Sequence, residues 1–160
     1  MVTRPQASFW RGRRVVVTGH TGFKGGWLSL WLARMGAEVT GIALPPETTP
    51  SLFDLVRLPD DVKSHFADVR DAAAIAGLIR AARPEIVLHL AAQPLVRRSY
   101  RQPLETFGSN VMGTAHVLDA LRDLPGVKEL RAAGLLDSRP MPGAGAGPTE
   151  DEESPSGQSE

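Results

Sequence analysis

The chain has no cysteine. This excludes a disulfide framework, a thiolate metal site and a cysteine nucleophile, and it fits a reducing cytoplasm. It has one tyrosine, Tyr100, so chemistry that needs a tyrosine base has a single candidate. No apolar run approaches the roughly 20 residues that span a bilayer. The N-terminal "MVTRPQASFWRGRR" carries basic residues with no apolar stretch behind them, so it does not read as a secretory signal. Net charge is absent too, with 18 basic and 18 acidic side chains. The balance hides an asymmetry, because residues 138–160 hold one arginine against five acids and the rest of the chain is mildly basic. That excess is scattered and too weak to point to nucleic acid. No membrane and no nucleic-acid partner are expected.

What is present is an alternation of strand and helix signals. "RRVVVTG" is a β-branched run without period-two alternation, as in a strand buried on both faces. "FKGGWLSLWLARMG" reads as a helix ending at Gly36, with Trp27 and Trp31 expected in the core. "AEVTGIAL" is a second strand, stopped by Pro45 and Pro46, and "SLFDLVRL" a short helix in the loop beyond it. "VKSHFADV" is a third strand, "DAAAIAGLIRAAR" a helix and "EIVLHLAA" a fourth strand. A further helix opens at Pro103, where a missing N–H costs nothing, and runs towards Asp123. The pattern predicts an α/β fold: a Rossmann-type, doubly wound parallel sheet of about four strands in the order 3-2-1-4, incomplete because it stops at the fourth strand. The expected domain covers residues 9–130. "VKELRAAGLL" has neither a clean strand nor a clean helix period.

Gly19, Gly22 and Gly25 form G-x-x-G-x-x-G between a buried strand and a helix. In that context the glycines permit a tight turn, close approach of the backbone to a pyrophosphate, and close packing of helix on strand. The helix N-terminus then offers free N–H groups and a positive dipole end to the phosphates. The acid expected about 20 residues later, to hold the adenosine ribose, is missing: the second strand ends "GIAL". A dinucleotide cofactor follows, NAD or NADP.

"VTGHTGFKGGWLSLWL", "FADVRD", "LHLAAQPLVRRSY" and "NVMGT" occur in that order. With them the chain resembles the extended short-chain dehydrogenase/reductase family, and within it the CDP-glucose 4,6-dehydratases. The resemblance covers about residues 9–123. It implies NAD as cofactor, with Gly19, Thr21, Gly22, Phe23, Lys24 and Gly25 around the pyrophosphate. It implies Asp68 and Val69 beside adenine, and Leu90, Ala91, Ala92 and Gln93 closing over the ribose and phosphate. Asn110 would lie in the helix under the active site, with Thr114 near it. It also implies a nucleotide-sugar substrate and a homodimer in which the helix from Pro103 takes part. Each role has a plainer rival. Asp68 and Asp71 also suit helix capping. Lys24 and the pair Arg97 and Arg98 also suit a solvated surface, although one arginine would meet a substrate phosphate well. His89 reads as a hydrogen-bonded core residue. His20 faces either ligand or solvent.

The family's reaction, as the resemblance implies it, moves hydride from sugar C4 to NAD, expels water across C5 and C6, and returns the hydride to C6. It uses a Tyr-x-x-x-Lys pair, and here Leu104 stands four residues after Tyr100. No catalytic residue and no metal ligand is assigned, and the chain alone is expected to be inactive. The segment 131–160, rich in Ala, Gly, Pro, Ser and Glu, is expected to be disordered. Its composition suggests the out-of-frame end of a frameshifted or truncated gene product. The rival is a natural tail on a shortened nucleotide-binding module, and resequencing beyond Leu121 separates the two.

Overall fold

Three successive valines, Val15, Val16 and Val17, are almost wholly inaccessible, because the strand that carries them has helices on both sides. The computed structural model describes residues 6–122, Leu124 and the strand Glu129–Ala132. In chain order the elements are α1 (Ala7–Trp10), β1 (Arg14–Thr18), α2 (Phe23–Arg34), β2 (Glu38–Ala43), α3 (Leu52–Leu55), a 3-10 turn (Leu58–Asp60), β3 (Lys63–Phe66) and α4 (Ala72–Ala82). They continue with β4 (Ile86–His89), α5 (Val96–Arg101), α6 (Pro103–Phe107), a π-type turn (Gly108–Met112), α7 (Gly113–Leu121) and β5 (Glu129–Ala132).

The strands form one parallel sheet in the order β3-β2-β1-β4-β5. The expected order 3-2-1-4 is present, and the sheet goes one strand further. β5 pairs along β4, with Ile86 opposite Glu129 and His89 opposite Ala132, so the edge of β4 is covered and not open as expected. Four residues are too few to display a period; β5 is recognised by its pairing. The expected disordered segment lies outside the described residues, apart from Arg131 and Ala132.

Side chains of β1 alternate between two cores. Val15 and Val17 pack with Leu32 of α2, Val39, Phe53 and Leu58 on one face. Val16 packs with Ile42, Val69, Ile75 and Ile79 of α4 and Val117 of α7 on the other. This two-faced burial makes the chain doubly wound.

In α2 the buried residues are Gly25, Gly26, Ser29 and Leu32, while Trp27 and Trp31 are 50% and 46% exposed. The expected tryptophan core is therefore corrected. The helix turns its small residues to the sheet because a Cβ on Gly25 would lie 2.0 Å from the Gly19 carbonyl oxygen. That contact admits no bulk on the inner face and leaves the aromatic stripe outside. The helix expected from Pro103 is interrupted by the π-type turn, next to which Gly113 lies so close to Val69 that a Cβ would come within 2.7 Å of it.

His20, left undecided by the sequence, points inward and is fully buried. Its ring lies on the backbone of Gly41 in β2, where a Cβ would come within 2.3 Å of the ring. It meets Phe53 edge-on at 5.5 Å, and its Nε2 bonds the Ser64 hydroxyl at 2.7 Å. Gly41→Ala is expected to cost about 1–3 kcal/mol by overpacking. The cost should largely vanish in a His20→Ala background, because the two positions share one contact. Urea unfolding of the four chains of that cycle measures the coupling.

Candidate functional site

The glycine turn stands where the strand order reverses, since β1 sends the chain to β2 on one side and pairs with β4 on the other. Open α/β sheets form a crevice at such a point, beyond the carboxyl ends of the strands. Gly19 has φ +78°, a left-handed conformation that favours glycine, and a Cβ there would come within 2.8 Å of the Ala91 nitrogen. Its N–H bonds the Ile42 carbonyl at 2.8 Å and its carbonyl accepts from Gly22 at 3.1 Å. Gly25 is required by its contact with Gly19. Gly22 differs: a Cβ would meet only the Gly19 oxygen, at an acceptable 3.4 Å. The fold therefore does not account for glycine at position 22.

Two of the described helices are capped by side chains, Asp71 accepting from Ala74 at the start of α4 and Ser51 from Asp54 at the start of α3; the others are not. The start of α2 has no side-chain cap and no acid in its first turn, and it carries the exposed Lys24. A helix N-terminus with unpartnered N–H groups and a nearby cation attracts an anion. Phe23 is 73% exposed beside it. The Thr21 hydroxyl donates to the Leu44 carbonyl at 2.9 Å and ties the turn to the end of β2.

On the other wall, Thr18 and His89 lie opposite one another at the ends of β1 and β4. Thr18 Oγ1 is 2.6 Å from His89 Nδ1 and accepts the N–H groups of Leu90 and Ala91, both at 3.1 Å. His89 Nε2 is 3.1 Å from Thr114 Oγ1, whose hydroxyl donates to the Asn110 carbonyl at 2.7 Å. The Asn110 amide holds the backbone of Gln93 at both groups, accepting its N–H at 2.7 Å and donating to its carbonyl at 3.1 Å. Asn110 thus stands behind the loop, inside the π-type turn, a helical distortion often found at functional sites. Ala92 is exposed at the loop's crest.

Towards β3, the Asp68 carboxylate accepts the backbone N–H of Arg70 at 2.9 Å and also holds its guanidinium. These bonds keep its pKa below the usual carboxylate range. It is Asp71, not Asp68, that caps α4. The Val69 side chain is buried in the core against Gly113 and its carbonyl accepts from His116 Nδ1 at 2.9 Å. Arg98 lies between Glu47 at 3.2 Å and Glu105 at 2.9 Å, so its charge is already matched; Arg97 and Arg101 line an open recess beside it. Tyr100 is exposed. The sequence reading did not connect Thr18, His89 and Thr114; a histidine within a buried apolar strand, with threonines near both the glycine turn and the next helix, was the available signal.

Burial lowers the pKa of His20 to about 4, the nearby His65 adding to this and the Ile42 carbonyl opposing it, although His20 Nδ1 itself makes no hydrogen bond. Burial lowers that of His89 as well.

An open parallel sheet with a glycine turn and an uncapped helix start at its switch point is the Rossmann-type dinucleotide-binding fold. The profile of the GDP-mannose 4,6 dehydratase family matches residues 16–133, and the chain belongs to that family. It is 56% identical over 121 residues to the CDP-glucose 4,6-dehydratase of Salmonella typhimurium, a match covering 76% of this chain and 34% of that protein. It is 32% identical to the UDP-glucose 4-epimerase of Mycoplasma pneumoniae, over 69% of this chain and 32% of the other. Among solved structures, the UDP-glucose 4-epimerase of Stenotrophomonas maltophila with bound NAD and formylated UDP-arabinopyranose superposes with a TM-score of 0.63 at 30% identity, over 75% of this chain and 36% of that one. The chain spans about a third of the length of these curated relatives.

Two outcomes are expected. Gly25→Ala should prevent stable folding or cost well over about 3 kcal/mol, whereas Gly22→Ala should shift stability by no more than about 1 kcal/mol, as read by thermal and urea unfolding. Because both buried histidines are neutral when folded and bind protons readily when unfolded, stability should be full above about pH 6.5 and fall as pH drops towards about 4. Urea midpoints across that range check the sign.

Proposed function

We propose that this chain binds NAD as the cofactor-holding part of a nucleotide-sugar 4,6-dehydratase whose substrate is CDP-glucose. The observation that carries the reading is the start of α2, uncapped, free of acids and cleared by a glycine the fold itself does not need. The backbone from Gly22 to Gly25 would meet the pyrophosphate, with Lys24 supplying positive charge and Gly19 and Thr21 shaping the turn. Asp68, already fixed by Arg70, would stand at the adenine side, with Val69 contributing through its place in the wall. Leu90, Ala91, Ala92 and Gln93 would form the far side, held from behind by Asn110. No acid marks the end of β2, which closes on Ala43, so an extra phosphate on the ribose meets no carboxylate there. Preference for NAD is supported by the epimerase structure that holds it, and the sugar nucleotide by the Salmonella relative.

Bound NAD supplies a reversible hydride acceptor. The chain's own residues bind and orient it; the sequence contains no Tyr-x-x-x-Lys pair to move the sugar's proton. The chain alone therefore holds cofactor without turning over sugar. Leu104, Phe107, Val111 and Leu118 expose an apolar stripe along α6, the π-type turn and α7, which supports pairing with a second copy.

Calorimetric titration of the 160-residue chain with NAD and NADP tests the reading. Saturable binding of NAD is expected, weakened at least about tenfold by Gly22→Ala, equivalent to about 1.4 kcal/mol. Incubation with NAD and CDP-glucose should yield no 4-keto-6-deoxy product. A folded chain with no affinity for either dinucleotide overturns the cofactor assignment, and product formation overturns the inactivity. For the dimer, light scattering should give a twofold mass that Phe107→Glu returns to that of one chain.

A further inference from the structure

On the reading that the β1–α2 turn holds a dinucleotide, we propose that His89 is a positioning residue of that site. As the neutral ring protonated on Nε2, it locks the backbone of Leu90 and Ala91 against Gly19. The hydrogen-bond inventory admits one arrangement. Thr18 Oγ1 already accepts two N–H groups, from Leu90 and Ala91, and the acceptor left for its own proton is His89 Nδ1, 2.6 Å away. Nδ1 must then be unprotonated. At the other nitrogen, Thr114 gives its proton to the Asn110 carbonyl, so it accepts from Nε2–H. The opposite tautomer would present an N–H to Thr18, leaving a buried hydroxyl proton with no acceptor. A buried group orphaned in this way keeps its full desolvation cost with no bond to offset it.

The orientation matters because of what Thr18 holds. The Ala91 nitrogen and the Leu90 carbonyl carbon stand where a Cβ on Gly19 would be, at 2.8 and 2.9 Å. The glycine turn and the loop after β4 therefore pack against each other, and the Thr18 hydroxyl holds the loop in that place. A proton added to Nδ1 takes away the acceptor of that hydroxyl and turns the ring into a donor aimed at the same oxygen. Thr18 Oγ1 must then give up Leu90 or Ala91. The ring's polar neighbours are Thr18 from β1 and Thr114 from α7, and no charged side chain among the described residues shifts it; burial alone lowers its pKa. His116, two residues beyond Thr114, is turned to the Val69 carbonyl.

The test begins on the full chain with ¹⁵N-labelled histidine. Long-range proton–nitrogen correlation at about pH 7.5 should show His89 neutral, with its proton on Nε2. A proton on Nδ1, or on both nitrogens, overturns the proposal. His89→Asn keeps an acceptor near Nδ1, whereas His89→Gln places its amide near Nε2 and loses that acceptor. At equal folded fraction by circular dichroism, the Asn variant should keep its Kd for NAD within about threefold of the parent, and the Gln variant should raise it at least about tenfold. The parent Kd should rise about tenfold per pH unit below the ring's pKa, and that of the Asn variant should stay flat over the same range. Equal Kd values in the two variants, or the same pH profile in the Asn variant as in the parent, also overturn it. If the chain binds no NAD, the functional reading fails but the lock is still decided. The Leu90 N–H also bonds the Thr18 carbonyl at 3.2 Å, so it is the Ala91 amide that should lose exchange protection as His89 titrates, ahead of the β1–β2 ladder, and unchanged protection at Ala91 overturns the proposal.

Discussion

The approach of α2 to the turn that precedes it governs the rest of the molecule. At Gly25 the helix backbone comes so near Gly19 that one methyl group would overlap the carbonyl oxygen. A helix docked this tightly has its inner face restricted to Gly25, Gly26, Ser29 and Leu32. Its first N–H groups then open into the crevice with no side chain to cap them. The same contact pushes Trp27 and Trp31 to the outside. Close packing and an uncapped, exposed helix start are thus two results of one steric fact.

The opposite wall is built from hydrogen bonds. Thr18, His89, Thr114, Asn110 and Gln93 form a continuous chain from the end of β1, through the end of β4, to the distorted helix and back to the loop. Polar groups in a sheet interior are costly unless each is satisfied, and here satisfaction requires a single proton arrangement. The steric wall at Gly19 and the polar wall at Ala91 meet at van der Waals contact. The loop at Ala91 is therefore held against the glycine turn by the protein's own contacts.

Much of this was legible in residues 15–92. An uninterrupted valine run demands burial on both faces, and Val15 and Val17 do separate from Val16 into two cores. The glycine spacing carried the turn, Asp71 the start of α4, and the alternation of elements the strand order. The outer position of the tryptophans was not legible, since hydrophobic bulk indicates a core only where there is room for it. The burial of His20 was equally hidden: it depends on the bare backbone of Gly41, a residue 21 positions away and on another strand. β5 is too short to show a period and exists by pairing with β4.

The sequence by itself determined the local events: which segments are extended, where helices begin, and that a glycine turn joins the first strand to the first long helix. These follow from neighbours along the chain, through backbone sterics, capping and periodicity. Only the tertiary structure decided which side of α2 faces the sheet, which nitrogen of His89 carries the proton, and why Asn110 lies behind the loop at Gln93. Those outcomes depend on distances between strands and on the supply of donors and acceptors in a closed space. Both are set when β1, β4 and the helix after Pro103 come together.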